Sequence, residues 1–262
     1  MRWNLSRTEL WLLTACAALL LAALAAPAVS NPLHAHDFAD QRTLLGMRCA
    51  LDVLSNLPFA VAGVIGFAWL QQVPSHLISA GQRAMATLFL AGLVATAAAS
   101  SFYHWAPDDF GLAVDRTGMA IAFAGLLGLL AAVKASDRAG ATLAGLVAVF
   151  GTAAAWTCFA TNNVLPWAAV QFGGMAMVLA LAFLASREGA MDVRWGWVLL
   201  AYAVAKLFEA GDHVIFEATG QLLSGHTLKH VIAAFSAWPV IAALAERTGG
   251  QNGRATAASV VA

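Results

Sequence analysis

Charge is scarce in this chain. Only 11% of its 262 residues are Asp, Glu, Lys or Arg, against about 25% in ordinary soluble domains. That shortage excludes a conventional water-facing surface. The cations and anions cancel to a formal net charge of zero, so no basic excess points to nucleic acid and the balance names no partner. Cysteine is equally thin. Cys16, Cys49 and Cys158 are scattered and odd in number, with no C-x-x-C pair. This argues against a disulfide framework and against a thiolate zinc site, and leaves three small apolar packing residues. Low-complexity linkers and internal repeats are missing too, so one domain is the simplest organisation.

What is present is apolar. Hydrophobic residues make up 61% of the chain and mean hydropathy is +0.75. The excess falls in runs, and about 20 consecutive apolar residues span a bilayer. Eight such stretches are expected, over 10–29, 52–71, 83–103, 115–134, 140–160, 164–185, 195–216 and 224–245. The expected fold class is an all-α membrane protein: a seven-transmembrane helix bundle with an extra N-terminal helix or signal segment. Residues 1–31 form that N-terminal segment, 32–246 the seven-helix domain, and 247–262 a small, polar tail expected to be disordered and cytoplasmic. The first stretch has two readings. Arg2 and Arg7 precede LWLLTACAALLLAALA and AAPAVS follows, as in a secretory signal. Its length and Glu9 in the flank fit a retained helix.

Lys and Arg set the orientation. With a cytoplasmic N-terminus the inner loops and tails carry nine of them, and the outer loops only Arg42, Arg48 and Arg116. The C-terminus is then cytoplasmic as well. In this orientation the third segment finishes outward at His104, the fourth starts near Asp115, and the eighth starts near His226. Three polar motifs from distant parts of the chain are thus expected at the same, outer membrane face.

These motifs carry the chemistry. The eighth stretch, HTLKHVIAAFSAWPVIAALA, opens with His226 and His230, and the third ends in SSFYH with Ser100 and His104. Residues four apart share a helix face, with Cβ atoms about 5–6 Å apart. Polar side chains inside lipid are costly and mark function. Three neutral imidazoles with an open fourth position also hold a catalytic zinc. His104, His226 and His230 are therefore the expected metal ligands, with Zn2+ the expected cofactor. A lone buried histidine is otherwise a hydrogen-bonded core residue.

Asp115 has two readings: a proton acceptor for a water at the metal, or an N-cap or interfacial charge paired with Arg116. Asp108 and Asp109 compete for the first role from the turn APDDFG. Ser100 either stabilises a developing oxyanion or bonds back to a carbonyl one turn up its own helix. Lys206, Glu209, Asp212 and His213 form a second polar group, read as support for a ligand imidazole or as a self-neutralising ion pair. The loop NPLHAHDFADQR is explained by hydration, with Asp37 or Asp40 as the alternative ligands of a hard cation. Asn56 and Pro58 in VLSNLPF mark a kink or helix-packing position.

At these residues the chain resembles the alkaline ceramidase family, within the wider seven-helix membrane hydrolases that include adiponectin-type receptors. The shared pattern is S-x-x-x-H late in one helix, Asp early in the next and H-x-x-x-H in the last, here Ser100 with His104, Asp115, and His226 with His230. Bacterial ceramidase-like proteins are similar through HDFADQR, SNLPF, YHWAPDD, VDR and SGHTLKH, and the resemblance covers roughly residues 34–245. It implies zinc on the three histidines, Asp115 handling the water proton, and Ser100 donating to the transition state. The implied reaction is hydrolysis of ceramide or a related N-acyl lipid to a fatty acid and a free amine, in the bacterial inner membrane with the site toward the periplasm. Calcium is not carried over, because HDFADQR replaces the acidic pattern that binds it in eukaryotic members.

Three other classes compete. A receptor or sensor on the same scaffold would use the metal structurally. A haem or retinal protein is disfavoured, because His226 and His230 are too close for separate haems and no lysine sits deep in the last helix. A transporter would show paired broken helices or a repeat.

Overall fold

Helix starts in this chain are written in hydroxyls and carboxylates. In the computed structural model, which describes residues 5–31 and 36–259 (backbone alone beyond 248), Ser6, Ser79, Asp108, Ser136 and Ser224 each cap a helix by accepting a backbone N–H. Such caps satisfy donors that a helix end leaves open. The described elements are α1 (Arg7–Ala25), α2 (Ala50–Leu54), α3 (Leu57–Gln72), α4 (Ala80–Trp105), α5 (Asp109–Lys134), α6 (Asp137–Thr161), α7 (Leu165–Ala182), α8 (Trp195–Ala210), α9 (Asp212–Ala218), α10 (Gly225–Phe235) and α11 (Trp238–Ser259). The described residues contain no β-sheet; Ser30 with Asn163 and Leu44 with Met47 make isolated bridges.

Among the described residues, seven spans are long and apolar enough to cross a membrane: α1, α2 with α3, α4, α5, α6, α7, and α10 with α11. The all-helical membrane bundle expected from the sequence is therefore what forms, with one difference in bookkeeping. The stretch 195–216 is divided at Gly211 into α8 and α9, so its 16-residue helix falls short of the seven spans, the shortest of which has 18 residues, while α1 is among the seven. Two spans are interrupted for a common reason. Pro58 and Pro239 have no N–H to offer Leu54 and Phe235, and the breaks fall at Ser55–Asn56 and Ser236–Ala237. The first was expected at Asn56 and Pro58.

The N-terminal stretch is a helix packed on α6 and α7, with Leu19 against Gly173. Glu9 is buried and bonds Ser136 Oγ at 2.6 Å and Arg138 Nη2 at 2.8 Å. The chain from 247 to 259 continues α11, where the sequence reading expects disorder; residues 260–262 of that expected tail, and residues 32–35 of the loop NPLHAHDFADQR, lie outside the described residues.

The pair α4–α5 is the centre of the bundle. A Cβ at Gly92 would stand 2.4 Å from the Ala122 backbone, and one at Gly125 would stand 2.1 Å from the Phe89 nitrogen. Only glycine permits this approach. It brings the end of α4 against the beginning of α5, which is where the polar residues lie.

Candidate metal centre

Three elements meet at one end of the bundle. α4 delivers Ser100 and His104 from its last turns, α5 delivers Asp115 from its second turn, and α10 delivers His226 and His230 from successive turns. The three histidines are 0%, 7% and 2% exposed in chain order. One ligand nitrogen from each lies within 4.8 Å of the others, and His104 Nε2 is 3.3 Å from His226 Nε2. The ring centroids are 4.8–4.9 Å apart. Among the described residues this is the one group of three or more His, Cys, Asp or Glu side chains able to hold a metal ion.

Other polar side chains reach the ring nitrogens. Lys229 Nζ lies 3.0 Å from His226 Nε2. Ser55 Oγ lies 2.8 Å from His230 Nδ1. The Nδ1 of His104 is buried with no hydrogen-bond partner. An all-imidazole set of this kind suits zinc and the other borderline divalent metals rather than hard cations.

Asp115 is buried, its Oδ1 has no hydrogen-bond partner among the described residues, and it shares a cavity with Ser100. The capping alternative for Asp115 is corrected: Asp108 caps α5, accepting from Gly111 N at 2.6 Å, and Asp115 stands well inside the helix. The Arg116 pairing fails too. Arg116 turns to Cys158 Sγ at 3.0 Å and over the Trp167 ring. Asp109 is occupied by His36 Nε2 at 3.1 Å. Ser100, Asp115, Lys229 and His230 line a cavity whose remaining wall includes Phe59, Phe89, Leu93, Leu126 and Met175. Polar chemistry thus sits at the end of an apolar chamber.

The second polar group divides. Lys206 and Lys229 both pair with Glu209, the latter at 3.3 Å, so the ion-pair reading holds for these residues. Asp212 instead accepts the backbone N–H groups of His226 at 2.7 Å and Ala39 at 3.0 Å. It supports the site through the main chain rather than through an imidazole. His213 Nε2 meets the Asp37 carbonyl at 3.1 Å. Asp40 is bonded by Arg42 at 2.6 and 2.8 Å, which accounts for it without a cation. Burial alone would push the Asp40 carboxyl up; the Arg42 hydrogen bonds outweigh this and hold it below its ordinary range.

Sequence reasoning missed Phe38, Ser55 and Lys229. Phe38, inside HDFADQR, lays its ring edge-on against both His104 and His226, each at 4.6 Å between centroids. It closes the site from the loop side. Ser55 stood beside a kink signal and Lys229 beside a ligand, and both signals were local. No protein-family model matches this chain, and no curated protein matches it.

Proposed function

We propose that this chain is a zinc-dependent membrane amidase, similar to alkaline ceramidases, that hydrolyses the amide of ceramide or a related N-acyl lipid. The observation that carries the reading is the chamber itself: His230, Asp115 and Ser100 share one cavity with Phe59, Phe89, Leu93 and Met175. An acyl chain fits such walls, and its amide would then meet the polar end. His104, His226 and His230 would hold the metal. Bound zinc supplies Lewis acidity and lowers the pKa of water at the site.

The residues of the chain do the rest. The Asp115 carboxylate takes a proton as the water oxygen bonds to the amide carbon. Ser100 donates to the carbonyl oxygen as it gains charge. Asp115 then returns the proton to the amide nitrogen as the carbon–nitrogen bond breaks, so a fatty acid and a free amine leave. Phe38 keeps bulk water from the loop side, which strengthens each of these interactions. The charge bias of the loops favours a periplasmic site and a cytoplasmic C-terminus in a bacterial inner membrane.

One observation favours a second reading. The triad is nearly sealed beneath Phe38, as suits a structural metal in a membrane receptor or sensor. The deciding experiment is elemental analysis of detergent-purified protein before and after chelation, paired with cleavage of a ceramide and N-acyl amine panel. Zinc-dependent fatty acid release supports the amidase. Stoichiometric zinc with no release across the panel favours the sensor, and absence of any bound transition metal overturns both.

A further inference from the structure

The short helix α2 lies against the first turns of α10 through two matched pairs. Asp52 and Ser55 are three residues apart on one side; Thr227 and His230 are three apart on the other. Asp52 Oδ1 accepts from Thr227 Oγ1 at 2.6 Å and from Ser224 Oγ at 3.3 Å. One turn further along, Ser55 Oγ meets His230 Nδ1 at 2.8 Å. The first pair fixes the register in which the second can form.

The direction of that second bond can be deduced. A serine hydroxyl has one hydrogen, and Ser55 gives it to the Asp52 carbonyl at 3.0 Å. What Ser55 offers His230 is therefore a lone pair, so Nδ1 carries the proton. In a neutral imidazole the other nitrogen is then unprotonated. The break between α2 and α3 is what frees the arrangement: Ser55 is the residue after α2, with its hydroxyl folded back on the last turn.

We propose that Ser55 is a positioning residue that sets the tautomer of His230 and aims its Nε2 lone pair into the triad. The role rests on the metal reading for its purpose, but the position of the ring proton is a property of the metal-free protein and is measured there. Outer hydrogen bonds of this kind typically change metal affinity by about 10–100-fold.

The test has two arms. In metal-free protein with nitrogen-labelled histidine, at alkaline pH, long-range nitrogen–proton correlation reports the tautomer of His230, assigned by loss of its signals in His230→Gln. Wild type should show the proton on Nδ1. A proton on Nε2 overturns the proposal whatever the metal does. In the second arm, zinc affinity is read by chelator competition. Ser55→Ala should bind about 10–100-fold more weakly, and Ser55→Thr should recover most of the loss. Wild-type affinity in Ser55→Ala, with unchanged His230 resonances, also overturns it. Should wild type bind no zinc at all, the amidase reading fails while the tautomer arm still decides the role of Ser55.

Discussion

The Nε2 atoms of His104 and His226 lie 3.3 Å apart although 122 residues separate them in the chain. Two imidazole nitrogens held this close inside a bundle either share one proton or share a cation. His230 completes the set from the next turn of α10. His226→Ala should therefore abolish stoichiometric metal while the bundle still inserts, as read by elemental analysis and circular dichroism. Full metal occupancy in that variant would show that His226 is not a ligand.

Asp115 belongs to a different step. It lies outside the triad and lines the same cavity as Ser100, so Asp115→Asn should leave metal content intact. Turnover of the lipid amide should fall by about 10²–10⁴-fold, the usual range for loss of a general base. Near-normal rates would remove Asp115 from proton transfer.

Phe38 stands between the loop and two ligand rings. Phe38→Ala should let a water-soluble chelator strip the metal faster, with equilibrium affinity changed much less than rate. Stopped-flow loss of zinc to a chromophoric chelator measures this. An unchanged rate would mean that another group guards the approach.

Gly125 tests the framework beneath the site. A methyl there would stand 2.1 Å from the Phe89 nitrogen, and backbone cannot rotate aside. Gly125→Ala should destabilise by about 1–3 kcal/mol, as overpacking does, and should disturb the metal centre as α4 and α5 part. Gly145 meets nothing within 4 Å; Gly145→Ala should be neutral, or stabilising by up to about 1 kcal/mol from helix propensity. Thermal unfolding in detergent compares the two.

Asp40 predicts an acid limb. Its carboxyl lies below the ordinary range: burial opposes ionisation, and the Arg42 bonds outweigh it. Arg42 also reaches the Leu222 carbonyl at 3.0 Å and covers the Phe216 ring, so the pair ties the loop to α9 and the turn that follows it. A depressed folded value means that this stability is fully present above the unfolded carboxylate value of about 3.9. It is lost as pH falls through the folded value. Asp40→Asn should lower stability at neutral pH and flatten the loss on acidification. A parallel shift of the whole pH curve would refute the assignment.

Much of the fold was legible because lipid imposes one-dimensional rules. Apolar runs of spanning length had to be helices, since hydrocarbon offers backbone groups no other partners. Local chemistry then marked a break near Pro58. Where reading fell short, the cause lay between segments. Gly211 alone gave no sign that 195–216 would divide. Nor did the sequence decide between the two readings of Asp115; Asp108 took the cap, and Cys158 and Trp167 drew Arg116 away.

By itself, then, the chain determined which residues enter the membrane as helices, and which few polar side chains go with them. The S-x-x-x-H and H-x-x-x-H spacings fixed which of those share a helix face, because a helix repeats every 3.6 residues whatever surrounds it. Only the tertiary structure decided that two of those faces look at each other. That outcome depends on the close approach of α4 to α5 at Gly92 and Gly125, and on the seating of α10 against α2 through Asp52, Thr227, Ser55 and His230. Distances between helices are set by the volumes and hydrogen bonds of residues remote in sequence, and no periodicity along one segment encodes them.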